Sequence, residues 1–281
     1  MTISRRIFGT AGVAGTAAAA VAVTRSASAQ SAMDGIIRRG EIRLGYILSP
    51  PNTSRDPRTN EVTGLYADAA KVIVAEAGLR LVWVETTWGT FAAGLQSGQF
   101  DLSIAGTFAT VRRALAVDFT NPIFYNGYSG VARANDGRFR TLQDLNNPGV
   151  RIAVVQGGAA EDFVRRNLPR AQVVALGTGN LTAPFVEVAS GRADVGIEDA
   201  NTTAMFVRQQ PLVRDIFADQ PFNFLPLAWA VRKGNQDILG FINQGIENMM
   251  VSGRWADIAR PYGVRGRFVV KREMIPWPSE A

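Results

Sequence analysis

The sequence predicts an α/β fold in which a mostly parallel β-sheet is covered by helices on both faces. Runs of β-type residues, such as residues 42–47 and 151–155, alternate with helical patterns along the whole chain. Such alternation is typical of parallel sheets. Gly78 and Gly98 follow helical patterns and are expected to end them. With 281 residues, of which 47% are hydrophobic and 19% charged, the chain can form one or two cores.

The first part of the chain predicts four strands and two helices. The strands are expected at residues 42–47, 81–84, 101–104 and 117–120, and one helix at 64–76. Trp88, Phe91 and Leu95 share one face of a second helix that ends at Gly98. We expect Trp88, with Tyr66 and Trp83, to pack in the core.

The chain then crosses to a second set of elements through residues 124–134, where Gly127 and Gly130 supply the backbone freedom of a hinge. Strands are expected at 151–155, 172–176 and 193–199. One helix is expected to begin in the turn at 157–161 and to end at Leu168, and two more are expected at 184–189 and 201–207. Residues 222–226 lead back to a strand at 227–231. An amphipathic helix at 238–249 and a short helix ending at Tyr262 complete the pattern.

Composition excludes several classes of function. The chain has no Cys and no His, which excludes disulfides, thiolate metal sites and any mechanism based on a His–Ser or His–Cys pair. Its charged residues form no basic block interleaved with aromatics, so nucleic-acid binding has no support. We therefore predict no cofactor and no metal.

Residues 1–29 are interpreted as an export signal. Arg5 and Arg6 stand in a twin-arginine-like sequence, an uncharged Ala/Gly-rich run follows, and the signal is expected to be cleaved near Ala29. A membrane anchor is the alternative, but the run is shorter and less apolar than a spanning helix requires. Together with Arg25, this segment carries three of the six net positive charges of the chain.

Residues 101–125 form the stretch that carries most chemical information. A strand ends at Gly106, and Thr110 can cap a helix whose first turn holds Arg112 and Arg113. A helix N-terminus with an arginine beside it favours an anion such as a carboxylate. The alternative, that both arginines are solvated surface charges, stays open on these residues alone.

The order D-x-x-x-A-G-x-x-x-T-x-x-R followed by V-D-F-T-x-P in this stretch resembles the amino-acid-type (family 3) periplasmic solute-binding proteins of ABC transporters. The resemblance covers about residues 40–265. It implies a two-lobed fold with a two-strand hinge, and it assigns the ligand α-carboxylate to Arg113. The G-R-x-D-x-x-x-x-D pattern at 191–199 likewise assigns the α-ammonium to Asp199.

Other positions matter on the same resemblance. Asp199 could instead cap the following helix, whereas Glu198 should point the other way and lie on the surface. The turn before the helix at 159 would offer backbone N–H groups of Gly158 and Ala159 to the ligand. The expected ligand contacts are therefore Arg113, Asp199, Gly106, Thr107, Phe108, Gly158 and Ala159.

The sequence also departs from the family pattern. Many members have Ser or Thr where Phe108 stands, and Thr107 need not replace that hydroxyl. Members that select basic side chains commonly have an acid near Ile47, and its absence argues against arginine or lysine. Phe108 would suit an aliphatic or aromatic side chain, or a carboxylate without an amino group.

The resemblance implies an exported, periplasmic receptor rather than an enzyme, monomeric and working with an ABC permease. The predicted lobes are residues 38–126 plus 227–265 and residues 127–226, followed by a tail at 266–281. Two alternatives remain: a periplasmic dehydratase or lyase on the same scaffold, and a partner that presents ligand to a membrane sensor.

Overall fold

The computed structural model describes residues 31–262. The predicted export signal at 1–29 and the tail at 266–281 lie outside these residues. Within residues 31–262, every helix is too short or too polar to traverse a lipid bilayer.

Most strands of the described region match the predicted ones. The strand predicted to end at Gly106 continues to Phe108, residues 124–133 form a long strand where a crossing was predicted, and three short strands at 54–55, 62–63 and 213–215 were not indicated by the sequence pattern. The strand bounds are β1 (Glu41–Tyr46), β2 (Ser54–Arg55), β3 (Val62–Thr63), β4 (Arg80–Glu85), β5 (Leu102–Phe108), β6 (Val117–Phe119), β7 (Phe124–Arg133), β8 (Arg151–Val155), β9 (Gln172–Leu176), β10 (Val195–Asp199), β11 (Val213–Asp215) and β12 (Phe222–Arg232).

The helices also follow the pattern, apart from α1, which the sequence analysis missed although Ser31 and Asp34 form a capping box at its start. Their bounds are α1 (Ala32–Arg39), α2 (Leu65–Glu76), α3 (Phe91–Ser97), α4 (Val111–Ala114), α5 (Ala159–Asn167), α6 (Ala183–Ala189), α7 (Ala200–Val207), α8 (Gln236–Val251) and α9 (Arg254–Ala259), with 3₁₀ turns at Leu142–Leu145 and Arg260–Tyr262.

The two lobes share one mixed sheet. Its strand order is β4-β1-β5-β12-β7-β10-β8-β9, with β1 parallel to β4 and β5, and β8 parallel to β9 and β10. The two halves meet where β12 runs antiparallel to β7, with Leu227 opposite Phe124 and Phe222 opposite Tyr128. These paired segments are the two crossing strands of the hinge. The first lobe is residues 38–126 plus 227–265 and the second lobe is residues 127–226, and these boundaries stay a prediction.

Each lobe buries its own apolar residues. In the first lobe, α2 and α8 bury Ile73, Ile242 and Ile246 against β1 and β5, and in the second lobe α5 covers β8 and β10 with Phe163 and Val164. This packing leaves the carboxyl ends of β5 and β10 and the N-termini of the helices that follow them at the boundary between the lobes.

Candidate ligand-binding site

A cavity of about 260 Å³ lies between the two lobes. Its walls include six of the seven expected ligand contacts: Gly106, Phe108, Arg113, Gly158, Ala159 and Asp199. Polar side chains, aromatic rings and a helix N-terminus therefore meet around one space. Their roles as ligand contacts remain predictions.

Thr107 is not part of the cavity wall. It is buried in β5 between Gly106 and Phe108 and pairs with Ala228 of β12. Successive residues of a strand point to opposite faces, so the hydroxyl is directed away from the space that its two neighbours line. The geometry gives no support to the expected ligand contact by Thr107.

Gly106 brings the backbone of β5 against an aromatic ring. Its φ of 61° is in the left-handed region, and a Cβ built on it would overlap the ring of Tyr66. Tyr66 was expected only in the core. It is 2% exposed, yet it also lines the cavity, as does Trp88. Trp83 instead packs its ring edge-on to Tyr46.

Arg113 is positioned by the short helix α4. Thr110 caps this helix as predicted, accepting a hydrogen bond from the Arg113 backbone N–H at 3.3 Å. The guanidinium donates to the carbonyl of Phe108 at 3.3 Å and to that of Gly157 in the other lobe at 2.9 Å. Burial lowers the pKa of Arg113, and the nearby Tyr128, Asp162 and Glu198 oppose that effect.

The side chain of Arg113 forms no ion pair with any of residues 31–262, whereas its neighbour Arg112 is exposed and pairs with Asp162 at 2.9 Å. The alternative of two solvated surface charges is therefore wrong for Arg113, which is half-buried in the cavity wall. A partly desolvated guanidinium with donors to spare can take a carboxylate.

The N-terminus of α5 faces Arg113 from the second lobe. Gly157 turns the chain with a φ of 73°, and its N–H donates to Glu161 at 2.7 Å. The N–H groups of Ala159 and Ala160, in the first turn, find no acceptor among the described residues. Free N–H groups at a helix N-terminus bind anions.

Asp199 both caps a helix and lines the cavity. Its carboxylate accepts hydrogen bonds from the Thr202 N–H at 3.0 Å and from the Asn126 amide at 2.9 Å. The helix-cap role, left open by the sequence, is thus observed, and it leaves the carboxylate lone pairs for a further donor. Burial raises the pKa of Asp199, while the hydrogen bonds from Thr202 and Asn126 oppose the rise.

The expectation that Glu198 lies on the surface is wrong. The residue is 5% exposed, lines the cavity, and its Oε1 has no hydrogen-bond partner among residues 31–262. Strand alternation does direct Glu198 and Asp199 apart, but helices cover both faces of β10, α5 on one face and α6 on the other, so Glu198 does not reach open solvent. Burial raises the pKa of Glu198 well above its ordinary value and Asp199 raises it further, while backbone hydrogen bonds from Asp199 and Val155 and the charge of Arg113 oppose the rise.

Sequence reasoning missed further residues of the cavity. They share no local motif, because each comes from a loop, a hinge strand or a helix face that only folding brings together: Ser49, Pro51, Asn52, Phe124, Asn126, Ala160, Leu181, Asn201, Thr202, Met205, Arg208 and Leu227. For Asn201, Met205 and Arg208, the spacing of i, i+4 and i+7 on α7 was a signal that could have been used.

Contacts across the cavity hold the lobes together. Besides the Arg113–Gly157 hydrogen bond, the indole of Trp88 donates to the carbonyl of Gly179 at 3.3 Å. A Cβ on Gly157 would lie 2.7 Å from Cα of Gly89, so the two backbones touch at that point. These contacts describe a closed arrangement of the lobes.

No cluster of acidic residues that could hold a metal ion occurs in the described part of the chain.

Comparison with known proteins identifies the family. The model of the bacterial extracellular solute-binding proteins, family 3, matches residues 42–265. Cyclohexadienyl dehydratase of Pseudomonas aeruginosa is 28% identical over 217 residues, which is 76% of this chain and 80% of that protein.

Two solved structures are also similar. An ancestral amino acid-binding protein, a precursor of cyclohexadienyl dehydratase, has a TM-score of 0.75 and 29% identity, covering 83% of this chain and 99% of that one. An ancestral arginine-binding protein bound to arginine has a TM-score of 0.71 and 28% identity, covering 80% and 99%.

Proposed function

We propose a function from the premise that this chain belongs to the bacterial extracellular solute-binding proteins, family 3. The chain is a solute receptor of the amino-acid-binding type that works with an ABC transporter. Its ligand is a small molecule with a carboxylate, an amino acid or a related compound, held between the two lobes and delivered to a permease.

The observation that carries this proposal is that Arg113 and Asp199 line the wall of one cavity between the lobes. Neither side chain is neutralised by an ion pair with another of residues 31–262. An α-amino acid presents a carboxylate and an ammonium, which these two groups would bind. The free N–H groups at the start of α5 supply further donors to the same carboxylate.

The ligand class is supported by the relatives, among which are an amino acid-binding and an arginine-binding protein. In this chain we assign Gly106 and Phe108 to the wall beside the ligand, and Gly158 and Ala159 to its carboxylate. Thr107 is left out of that assignment.

The location and partners follow from the same function. A receptor that serves a permease acts outside the cytoplasmic membrane, so we propose a periplasmic protein exported through the twin-arginine-like segment and cleaved near Ala29. Ligand binding would shift the hinge toward the closed arrangement, which is the form a permease could distinguish from the open one. We propose that the receptor is a monomer.

One observation favours a second candidate function, a dehydratase or lyase. Glu198 is a buried carboxyl in the cavity whose pKa is raised, which is the property required of a general acid at neutral pH. A dehydratase is also among the similar proteins. We place this candidate second, because a raised pKa also arises wherever a carboxyl is buried without a donor.

A thermal-shift screen of amino acids and organic acids on the purified protein tests the proposal, since a ligand that binds only the folded state raises its Tm. We expect an amino acid to raise the Tm in wild type and to lose that effect in Arg113→Gln. NMR of the bound compound after incubation separates the two candidates: unchanged ligand supports a receptor, and release of water or CO₂ supports a lyase.

A further inference from the structure

Glu198 is an ionisable residue that is enclosed at the cavity, and one of its two carboxyl oxygens has no hydrogen-bond partner among residues 31–262. Its Oε1 is buried and receives no hydrogen bond from the described residues. The Tyr128 hydroxyl, which lies close enough to influence the same carboxyl, is also buried and unpartnered. A buried polar group without a hydrogen bond is costly, so such groups in native proteins usually meet a ligand or a water.

The ionisable groups around the cavity outnumber those that an ordinary zwitterion would pair. Its wall holds two carboxyl groups, Glu198 and Asp199, but only one enclosed guanidinium, that of Arg113; Arg208 also lines the cavity but is exposed, so water screens its charge. The head group of an α-amino acid would use Arg113 and Asp199. The buried Oε1 of Glu198 would still lack a donor among the described residues.

The remaining walls suit a cation. Tyr66, Trp88, Phe108 and Phe124 line the same cavity, and aromatic faces attract ammonium and guanidinium groups. A neutral aliphatic side chain would find the aromatic walls acceptable but would leave the carboxyl of Glu198 buried and unpaired. A side chain that ends in a cationic nitrogen would satisfy both features.

We infer that Glu198 is a specificity-determining residue that accepts a hydrogen bond from a second cationic nitrogen of the ligand, so that the receptor prefers amino acids with a basic side chain. This inference rests on the proposed function and names its ligand class. The absence of an acid near Ile47 in the first lobe argues against a basic ligand, but Glu198 in the second lobe supplies an acid to the same cavity.

The experiment compares matched ligands by calorimetry at pH 7.5: lysine against norleucine, and arginine against citrulline. Each pair is similar in size and differs in the side-chain charge. We expect wild type to bind the basic member about 10- to 100-fold more tightly, the range for a hydrogen bond to a charged group. Glu198→Gln should lose that preference, because a neutral amide cannot form the charge-assisted hydrogen bond with the cationic nitrogen.

Glu187→Gln is the control variant, because Glu187 pairs with Arg192 on an exposed face and does not line the cavity. It should behave as wild type. If Glu198→Gln fails to fold, two measurements on wild type decide. One is the affinity for the basic against the neutral ligands, and the other is the number of protons released when lysine binds, measured in buffers of different ionisation enthalpy.

Equal or tighter binding of the neutral members by wild type, or an unchanged preference in Glu198→Gln, overturns the inference and leaves the proposed function standing. Failure of every amino acid to bind, basic or neutral, overturns both, and the outcomes are therefore distinguishable.

Discussion

Replacement of Arg113 by alanine should abolish tight ligand binding and leave the fold intact. The guanidinium is partly desolvated, and its two observed hydrogen bonds, at 2.9 and 3.3 Å, go to neutral carbonyls. A ligand carboxylate that loses its buried charge partner weakens binding by about 2–5 kcal/mol, or roughly 30- to 4000-fold in Kd.

The stability change should be much smaller than the change in binding. Losing two hydrogen bonds costs about 1–3 kcal/mol. Burial disfavours the charged form of Arg113, as its lowered pKa shows, so removing the charge offsets part of that cost. For a chain of this size the Tm should fall by only a few degrees, at roughly 2–4 °C per kcal/mol.

Calorimetry with the ligand found by screening measures the affinity, and circular dichroism measures the Tm. Arg112→Ala is the matched control, since Arg112 is the exposed neighbour whose ion pair with Asp162 also joins the two lobes but lies outside the cavity wall. Such a surface pair contributes about 0.2–1 kcal/mol, so its loss should change Kd by less than about 6-fold. Undiminished affinity in Arg113→Ala, or an equal loss in Arg112→Ala, would refute the reasoning.

Three further predictions follow from the site. Asp199→Asn should weaken ligand binding without unfolding α7, because asparagine is an equally good N-cap. Asp199→Ala should also lower the free energy of unfolding by about 1 kcal/mol. Equal Tm values for the two variants would contradict the helix-capping role of Asp199. Gly106→Ala should lower the free energy of unfolding strongly, as measured by urea titration, since the new Cβ would overlap the ring of Tyr66. Gly234→Ala should be the milder change, because Gly234 also has a positive φ but its Cβ would meet no other atom. The ligand-free protein should lose stability as the pH rises from 4.5, the ordinary pKa of glutamate, through the raised pKa of Glu198, because only the unfolded chain ionises freely there. Glu198→Gln should reduce that loss and leave the part due to Asp199 and Asp215, whose pKa values are also raised by burial, so parallel Tm–pH curves for the two proteins would be the contrary result.

The prediction of the elements succeeded where the local pattern was strong. Strands β8 and β9 have the predicted bounds, and Thr110 caps α4 as expected. Helix α1 was missed because its eight residues follow directly on the segment interpreted as a signal. The helix α3 starts at Phe91 rather than Trp88, so the indole was free to turn into the cavity.

The prediction of the site was more uneven, for a physical reason. Arg113 and Asp199 each stand at a strand-to-helix junction with a recognisable sequence, and such junctions meet at the cleft of an α/β sheet. Glu198 has the same local context as Asp199, and alternation along the strand correctly separates the two side chains. Whether the other face meets solvent or protein depends on which helices pack against the sheet, which adjacent residues do not specify.

By itself, the sequence determined the alternation of strands and helices, the caps and turns, the absence of His and Cys chemistry, and the motif positions of Arg113 and Asp199. These depend on residues a few positions apart in the chain. Only the tertiary structure decided which side chains share the cavity, that Thr107 faces away from it, and that Oε1 of Glu198 is enclosed with no donor among residues 31–262. Those properties arise when β7 and β12 join the two halves of the sheet, because burial is set by what packs against a residue and not by the residues beside it.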